Sequence, residues 1–230
     1  MLSNKREILI SILKLTREGP VNINLIVKDS RVPLSIVKEY LAKIRSLGLI
    51  YFKDELIYAK PIQRLRIALE AIKLGADPEK VCRNLSWEEF EEIAIKAFEM
   101  NGYSAIKHFR FRHKGRSWEI DVLAMKEKVV ICTDCKRWKR RMSASTALKV
   151  VNAQIERVKA LAEALPKIKG KVKFRLKEEV FLVPAVLSLI PSPLKFYKNI
   201  PVVPIFQLQN FLEELPAQVH SLNHLKVSFE

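Results

Sequence analysis

Cysteine is scarce in this chain and poorly placed for cross-linking. Cys82, Cys132 and Cys135 are an odd number, with no second Cys-x-x-Cys and no histidine pair beside them. That spacing argues against a disulfide framework and against a structural zinc site. Long apolar runs are also missing: no stretch of 18 apolar residues occurs in the sequence, so no spanning helix is expected. The opening MLSNKREILI carries charge inside its apolar stretch and lacks a small-residue cleavage site, which argues against a secretory leader and makes the cytoplasm the expected compartment. Acidic residues are few, 25 Asp and Glu against 41 Lys and Arg, for a net charge of +16. The excess is +5 over residues 1–60, +2 over 61–84, +5 over 85–164 and +4 over 165–230, so no single tail holds it. Charge spread in this way suits a protein that meets a polyanion, nucleic acid above all, through more than one part of its length. A Lys-rich surface that serves only solubility and thermal tolerance is the plainer reading of the same numbers.

Residues 5–16 place Ile8, Leu9, Ile12, Leu13 and Leu15 on a helical period, and Gly19-Pro20 breaks it. A short helix over NINLIVKDS follows. A third helix carries the apolar stripe Ile36, Val37, Tyr40, Leu41, Ile44 and Leu47, with Ser35 near its start and Gly48 as its stop. LIYFKDELIYA then reads as two short strands around Lys53-Asp54-Glu55. Three helices followed by a small hairpin is the arrangement of a winged helix, expected over 1–60. Its third helix would offer Lys38, Lys43 and Arg45 to a DNA groove. The alternative is a helical protein-interaction module, an adaptor whose hairpin only packs. Residues 61–84 read as a helical connector with a Gly-Ala-Asp-Pro break, and a new unit is expected over 85–230.

That unit opens on Ser86 with Glu89 three residues later, a capping-box pattern. On the helix that follows, Trp87, Phe90, Ile93, Ala94, Ala97 and Phe98 share one sector, with Glu91 at its edge. Strands are expected at Ala105–Arg112, Ser117–Ala124 and Lys128–Cys135. A helix over 143–165, stopped by Pro166, comes next. A buried strand within EEVFLVPAVLSLI and a closing strand and helix in VVPIFQLQNFLEEL complete the order α-β-β-β-α-β-β-α. Such an order implies an α/β domain, a mixed central sheet flanked by helices.

Alternation in WEIDVLA puts Trp118, Ile120, Val122 and Ala124 on one face, and Glu119, Asp121 and Leu123 on the other. In VVICTDCK, Asp134 and Lys136 share a face with Val130 and Cys132, while Cys135 points to the opposite side and reads as core rather than nucleophile. Antiparallel pairing through the turn at Lys126-Glu127-Lys128 sets Asp121 directly or diagonally opposite Asp134. Asp-x-Lys alone is a weak signal. Asp121 strengthens it, because aspartate is disfavoured in mid-strand, and Glu91 supplies a third carboxylate from the preceding helix. Close carboxylates repel one another unless a cation joins them. Two or three of them beside an ammonium are what divalent-metal phosphodiester hydrolysis requires: hard oxygen ligands for Mg²⁺, and a lysine to orient water or stabilise developing charge. Past Lys136, Arg137, Lys139, Arg140 and Arg141 stand where a phosphate backbone would pass. Trp138 among them reads as a core contact rather than a stacking platform. Gln154 is either a polar neighbour of the site or an ordinary helix-surface glutamine. His108, His113, His220 and His224 fit no ligand spacing with the cysteines.

The ordered set FE, ten residues, GY, then EIDVLA, then DCKRW resembles the Mrr-like branch of the PD-(D/E)xK nuclease superfamily, over roughly residues 85–215. The resemblance implies a restriction-endonuclease-like fold. It likens Phe90-Glu91 to the family's helix-borne glutamate, Asp121 to its metal-binding aspartate, and Asp134-x-Lys136 to its (D/E)xK element. Two departures stand out. RSWEID replaces the glycine-rich GGID, and Asp134 stands where members often carry Gln, which restores a charged ligand. What the resemblance implies is an Mg²⁺- or Mn²⁺-dependent DNA endonuclease, acting as a homodimer because cutting both strands takes two sites. A nuclease fold that is catalytically silent and regulates by binding DNA is the competing expectation.

Overall fold

The computed structural model describes residues 2–136, 143–172, 174–189 and 192–229. The chain divides into two compact units, one ending at Phe90 and the other beginning at Glu91.

In the first unit, α1 (Leu2–Leu15) buries Ile8, Leu9, Ile12 and Leu13. Next come β1 (Val21–Asn22), α2 (Ile23–Ser30), α3 (Leu34–Ser46), β2 (Tyr51–Lys53) and β3 (Leu56–Tyr58). Asn22 caps α2 by accepting from the Asn24 N–H at 2.9 Å. On α3 the inward stripe is Val37, Tyr40, Leu41 and Ile44. Ile36 and Leu47, expected to join it, are exposed, so the apolar face is narrower than the sequence suggests. The hairpin of β2 and β3 turns through Asp54 and Glu55, whose φ values of 49° and 63° belong to a tight turn with two left-handed residues. The two residues of β1 add to β3, giving a three-stranded antiparallel sheet in the order β1-β3-β2. No pattern rule finds a two-residue strand, and sequence reasoning missed it.

α4 (Pro61–Lys73) and α5 (Pro78–Cys82) follow. Arg64 of α4 is buried and donates from all three guanidinium nitrogens. It donates to the Leu13 carbonyl and Thr16 Oγ1, each at 2.7 Å, to the Asn84 carbonyl at 2.6 Å, and to Glu89. α6 (Trp87–Met100) opens on the expected capping box: Ser86 N–H donates to Glu89 Oε2 at 2.6 Å, and Glu89 N–H to Ser86 Oγ at 3.1 Å.

The second unit is built on a seven-stranded mixed sheet. β4 (Ser104–His113), β5 (Arg116–Lys126) and β6 (Val129–Lys136) form an antiparallel meander. α7 (Ala144–Ile168) then crosses over to β7 (Glu179–Ser188), which lies parallel to β6. β8 (Phe196–Tyr197), β9 (Ile200–Pro204), α8 (Leu208–Gln218) and β10 (Leu225–Ser228) complete the chain. The order is β4-β5-β6-β7-β9-β8, and β10 also pairs with β7. Pro184 sits inside β7, where a missing N–H should break a central strand. The ladder explains its tolerance: β10 pairs with residues 179–182 of β7 and β9 with 186–188, so Pro184 lies between two partners on that side. Val158, Leu161, Ala164 and Leu165 of α7 pack on this sheet with Phe109, Phe111, Ile120, Leu123, Cys132 and Leu182. α7 runs past Pro166 to Ile168, so the proline ends the helix within a turn rather than stopping it outright. This mixed α/β layering, a central sheet with flanking helices, agrees with a restriction-endonuclease-like fold.

Candidate active site

The strands β5 and β6 pair from Lys126↔Val129 to Val122↔Thr133. One step further, in the same register, Asp121 would face Asp134. The ladder does not continue there. Instead Asp121 Oδ2 accepts the Cys135 N–H at 2.7 Å, so the aspartate side chain replaces a backbone carbonyl at the point where the strands part.

Alternation fails at the same place. Trp118 and Ile120 pack in the α7-side cluster, and so do Leu123 and Met125, a step of three residues instead of two. The strict period-2 assignment of this strand is therefore wrong around Asp121 and Val122. β4 shows the matching break: Phe109 pairs with Ile120 and Ile106 with Leu123, while His108 between them has φ of 51°. A non-glycine residue in the left-handed region within a strand is uncommon and is concentrated at functional sites. His108 spans two acids, its Nδ1 2.9 Å from Glu119 Oε1 and its Nε2 3.3 Å from Glu91 Oε2. Sequence reasoning set His108 aside because it was sought as a metal ligand beside cysteine. Its link to Glu91 depends on two strands kinking together, which no spacing reveals.

Asp134 is 2% exposed and Glu91 3%. Lys136 Nζ lies 2.9 Å from both Asp134 oxygens and donates to Oδ1, so the expected shared face is observed. Arg157 Nη1, from α7, donates to the same Oδ1 at 2.7 Å and to Gln154 Oε1 at 2.9 Å. Gln154 is fully buried, and its Nε2 donates to the Cys132 carbonyl at 2.7 Å, so it is no surface glutamine. Arg157 was missed, although it stands three residues after Gln154 on the same helical face and could have been nominated with it.

Burial raises the pKa of Asp121 above its ordinary 3.8. The Cys135 N–H opposes that shift, the Asp134 charge adds to it, and Lys136 and Arg157 work against it. The Cys135 thiol is driven well up, by burial first and then by the charges of Asp121, Glu91 and Asp134, with Lys136 opposing. The four residues nominated from sequence thus act on one common neighbour. Cys135 itself is buried and stays a thiol, in keeping with a core role.

The donor chemistry fits a hard divalent cation. The acids offer carboxylate oxygens, Glu91 Oε1 is buried without a hydrogen-bond partner, and burial, with the Asp134 charge adding to it, raises the Asp121 pKa. Among the described residues no three His, Cys, Asp or Glu side chains are grouped so as to hold a metal ion, and Asp134 is turned to Lys136 and Arg157. Arg137, Lys139, Arg140 and Arg141 lie outside the described residues. Lys38, Lys43 and Arg45 lie on the exposed side of α3 in the first unit, with Arg45 5.5 Å over the Phe52 ring of β2. Arg116, Ser117 and Trp118, which precede Glu119-Ile120-Asp121, are ladder residues of β5. Arg116 there stacks 4.0 Å from the Trp118 ring centroid.

An uncharacterized protein of Archaeoglobus fulgidus is 27% identical over 131 residues, covering 57% of this chain and 92% of its own. Two solved structures match weakly. A protein of unknown function is 14% identical, with a TM-score of 0.31, over 43% of this chain and 46% of that one. A Vibrio cholerae protein is 12% identical, with a TM-score of 0.37, over 96% and 52%. The chain spans about half the length of either structure. A family model described as a restriction endonuclease, the Mrr catalytic domain, matches residues 82–170, the segment that contains Glu91, Asp121, Asp134, Lys136 and Gln154. The match over residues 82–170 supports the resemblance to the Mrr-like branch of the PD-(D/E)xK nucleases.

Proposed function

We propose that the chain is a divalent-metal-dependent DNA endonuclease that hydrolyses phosphodiester bonds, with the 1–60 region docking on DNA as a winged helix. The observation that carries this reading is the buried Asp134 carboxylate held against Lys136 Nζ at the point where Asp121 interrupts the β5–β6 ladder. Asp121, Asp134 and Glu91 would hold Mg²⁺ or Mn²⁺, which when bound supplies positive charge against that developing on the phosphate and favours ionisation of the attacking water. Lys136, about one-third exposed, is placed to hydrogen-bond that water or the oxyanion forming on phosphorus. Gln154, anchored on the β6 backbone, keeps the α7 side of the site in register. Arg137, Lys139, Arg140 and Arg141 would flank the passing backbone, and Lys38, Lys43 and Arg45 would face a groove. Element order supports the winged-helix reading: three helices, a two-stranded wing, and a short strand that completes the sheet. A homodimer would bring two sites to two strands. Cys132 and Cys135, both buried free thiols, suit the reducing cytoplasm.

The second reading is a silent nuclease fold that regulates by binding DNA. It is favoured by one observation, the engagement of Asp134 by two cations of the protein itself. Supercoiled, branched and single-stranded DNA incubated with Mg²⁺ or Mn²⁺, against EDTA, separates the two. The nuclease reading expects metal-dependent cleavage of at least one substrate, and the silent reading expects retention on DNA with none cut.

A further inference from the structure

Asp134 is nearly inaccessible, yet cations reach it from two elements. Lys136 comes from its own strand, as the Asp-x-Lys spacing demands. Arg157 comes from α7, and its Nη1 donates to both Asp134 Oδ1 and Gln154 Oε1. Gln154 cannot follow if Arg157 moves, because its amide is fixed to the Cys132 carbonyl. The guanidinium, by contrast, belongs to a side chain 27% exposed. An aspartate oxygen that accepts from a guanidinium offers the same lone pairs that a hard cation would take. Arginine does not deprotonate, so it can make way only by swinging out.

We propose that Arg157 is a resident stand-in for the divalent cation. It is a positioning residue that neutralises and orients Asp134 in the cation-free protein, then releases it when the cation arrives. The inference rests on the nuclease reading of the same site. It explains how a buried carboxylate is kept paired while the site is empty, since losing the partner of a buried charge is costly. It also explains why the described acids do not converge on one point: the protein's own cations hold one of them.

Calorimetric titration of the full chain with Mn²⁺ tests the idea, together with melting in EDTA and in saturating Mn²⁺. Arg157→Ala is expected to bind Mn²⁺ roughly tenfold or more tightly than wild type, the value of one charge-assisted hydrogen bond removed from competition. It should melt below wild type in EDTA, with the gap narrowing in Mn²⁺. Arg157→Lys keeps the charge and should return both quantities toward wild type. Unchanged or weaker Mn²⁺ binding by Arg157→Ala overturns the proposal, as does a melting deficit that Mn²⁺ leaves unaltered. Asp121→Ala separates the two levels of claim. If wild type binds Mn²⁺ better than Asp121→Ala and Arg157→Ala matches wild type, only the stand-in role fails. If wild type binds no better than Asp121→Ala, the metal site fails and the stand-in with it.

Discussion

At the scale of single residues, Asp121 is a partly buried carboxylate that works against the fold. Burial and the Asp134 charge raise its pKa above 3.8, so the folded protein holds this proton more tightly than the unfolded chain. Its protonation therefore favours folding below pH 3.8, and that contribution is lost as pH rises through the raised value. Once ionised, the carboxylate opposes folding. Asp121→Asn keeps an acceptor for the Cys135 N–H and removes the charge, so it is expected to stabilise the protein by on the order of 1 kcal/mol at pH 7. Urea unfolding at several pH values checks this: the advantage should shrink toward zero below pH 3.8. Asp121 was legible in the sequence because aspartate is out of place in mid-strand. Arg157 and the His108 bridge were not, since each acts across a packing contact that only tertiary structure creates.

At the scale of elements, two devices in the first unit make opposite predictions. Arg64 is buried among four acceptors, including the Glu89 carboxylate. Arg64→Met would strand Glu89 without its cation, and a loss of about 3–5 kcal/mol is expected from chemical denaturation. The β2–β3 turn holds Asp54 and Glu55 in the left-handed region, where glycine is at ease and glutamate is not. Glu55→Gly should gain about 1 kcal/mol in the same assay. Helices and long strands were readable because their apolar periods repeat for several turns or pairs. β1, β8 and β10 were not, being too short for a period to show or set by pairing with distant strands. The faces around Asp121 were misread for a further reason: a period-2 rule has no term for a kink shared by two neighbouring strands.

At the scale of the whole molecule, the proposed function would rest DNA affinity on many weak phosphate contacts, through a charge of +16 spread along the chain. Replacing Lys38, Lys43 and Arg45 together with Ala is expected to weaken binding across all sequences. The slope of log affinity against log salt should become shallower by up to about three, one for each lost contact. An unchanged slope would remove α3 from the interface and leave the 1–60 region to protein contacts. The mixed sheet and its family were readable from the order of elements and from the FE, EID and DCK motifs. Which DNA the proposed nuclease would cut was not, because that depends on surfaces rather than on the site's chemistry.

The central claim is that Asp121, Asp134 and Lys136 form a hydrolytic centre rather than a structural ion pair. The measurement that tests it most directly is the Mg²⁺- or Mn²⁺-dependent cleavage rate of wild type beside Asp121→Ala and Lys136→Ala, at matched DNA occupancy. Cleavage in wild type that falls at least about a hundredfold in both variants, with DNA affinity nearly unchanged, is the predicted result. Cleavage that persists in both variants, or that is absent from wild type while DNA is bound, contradicts it.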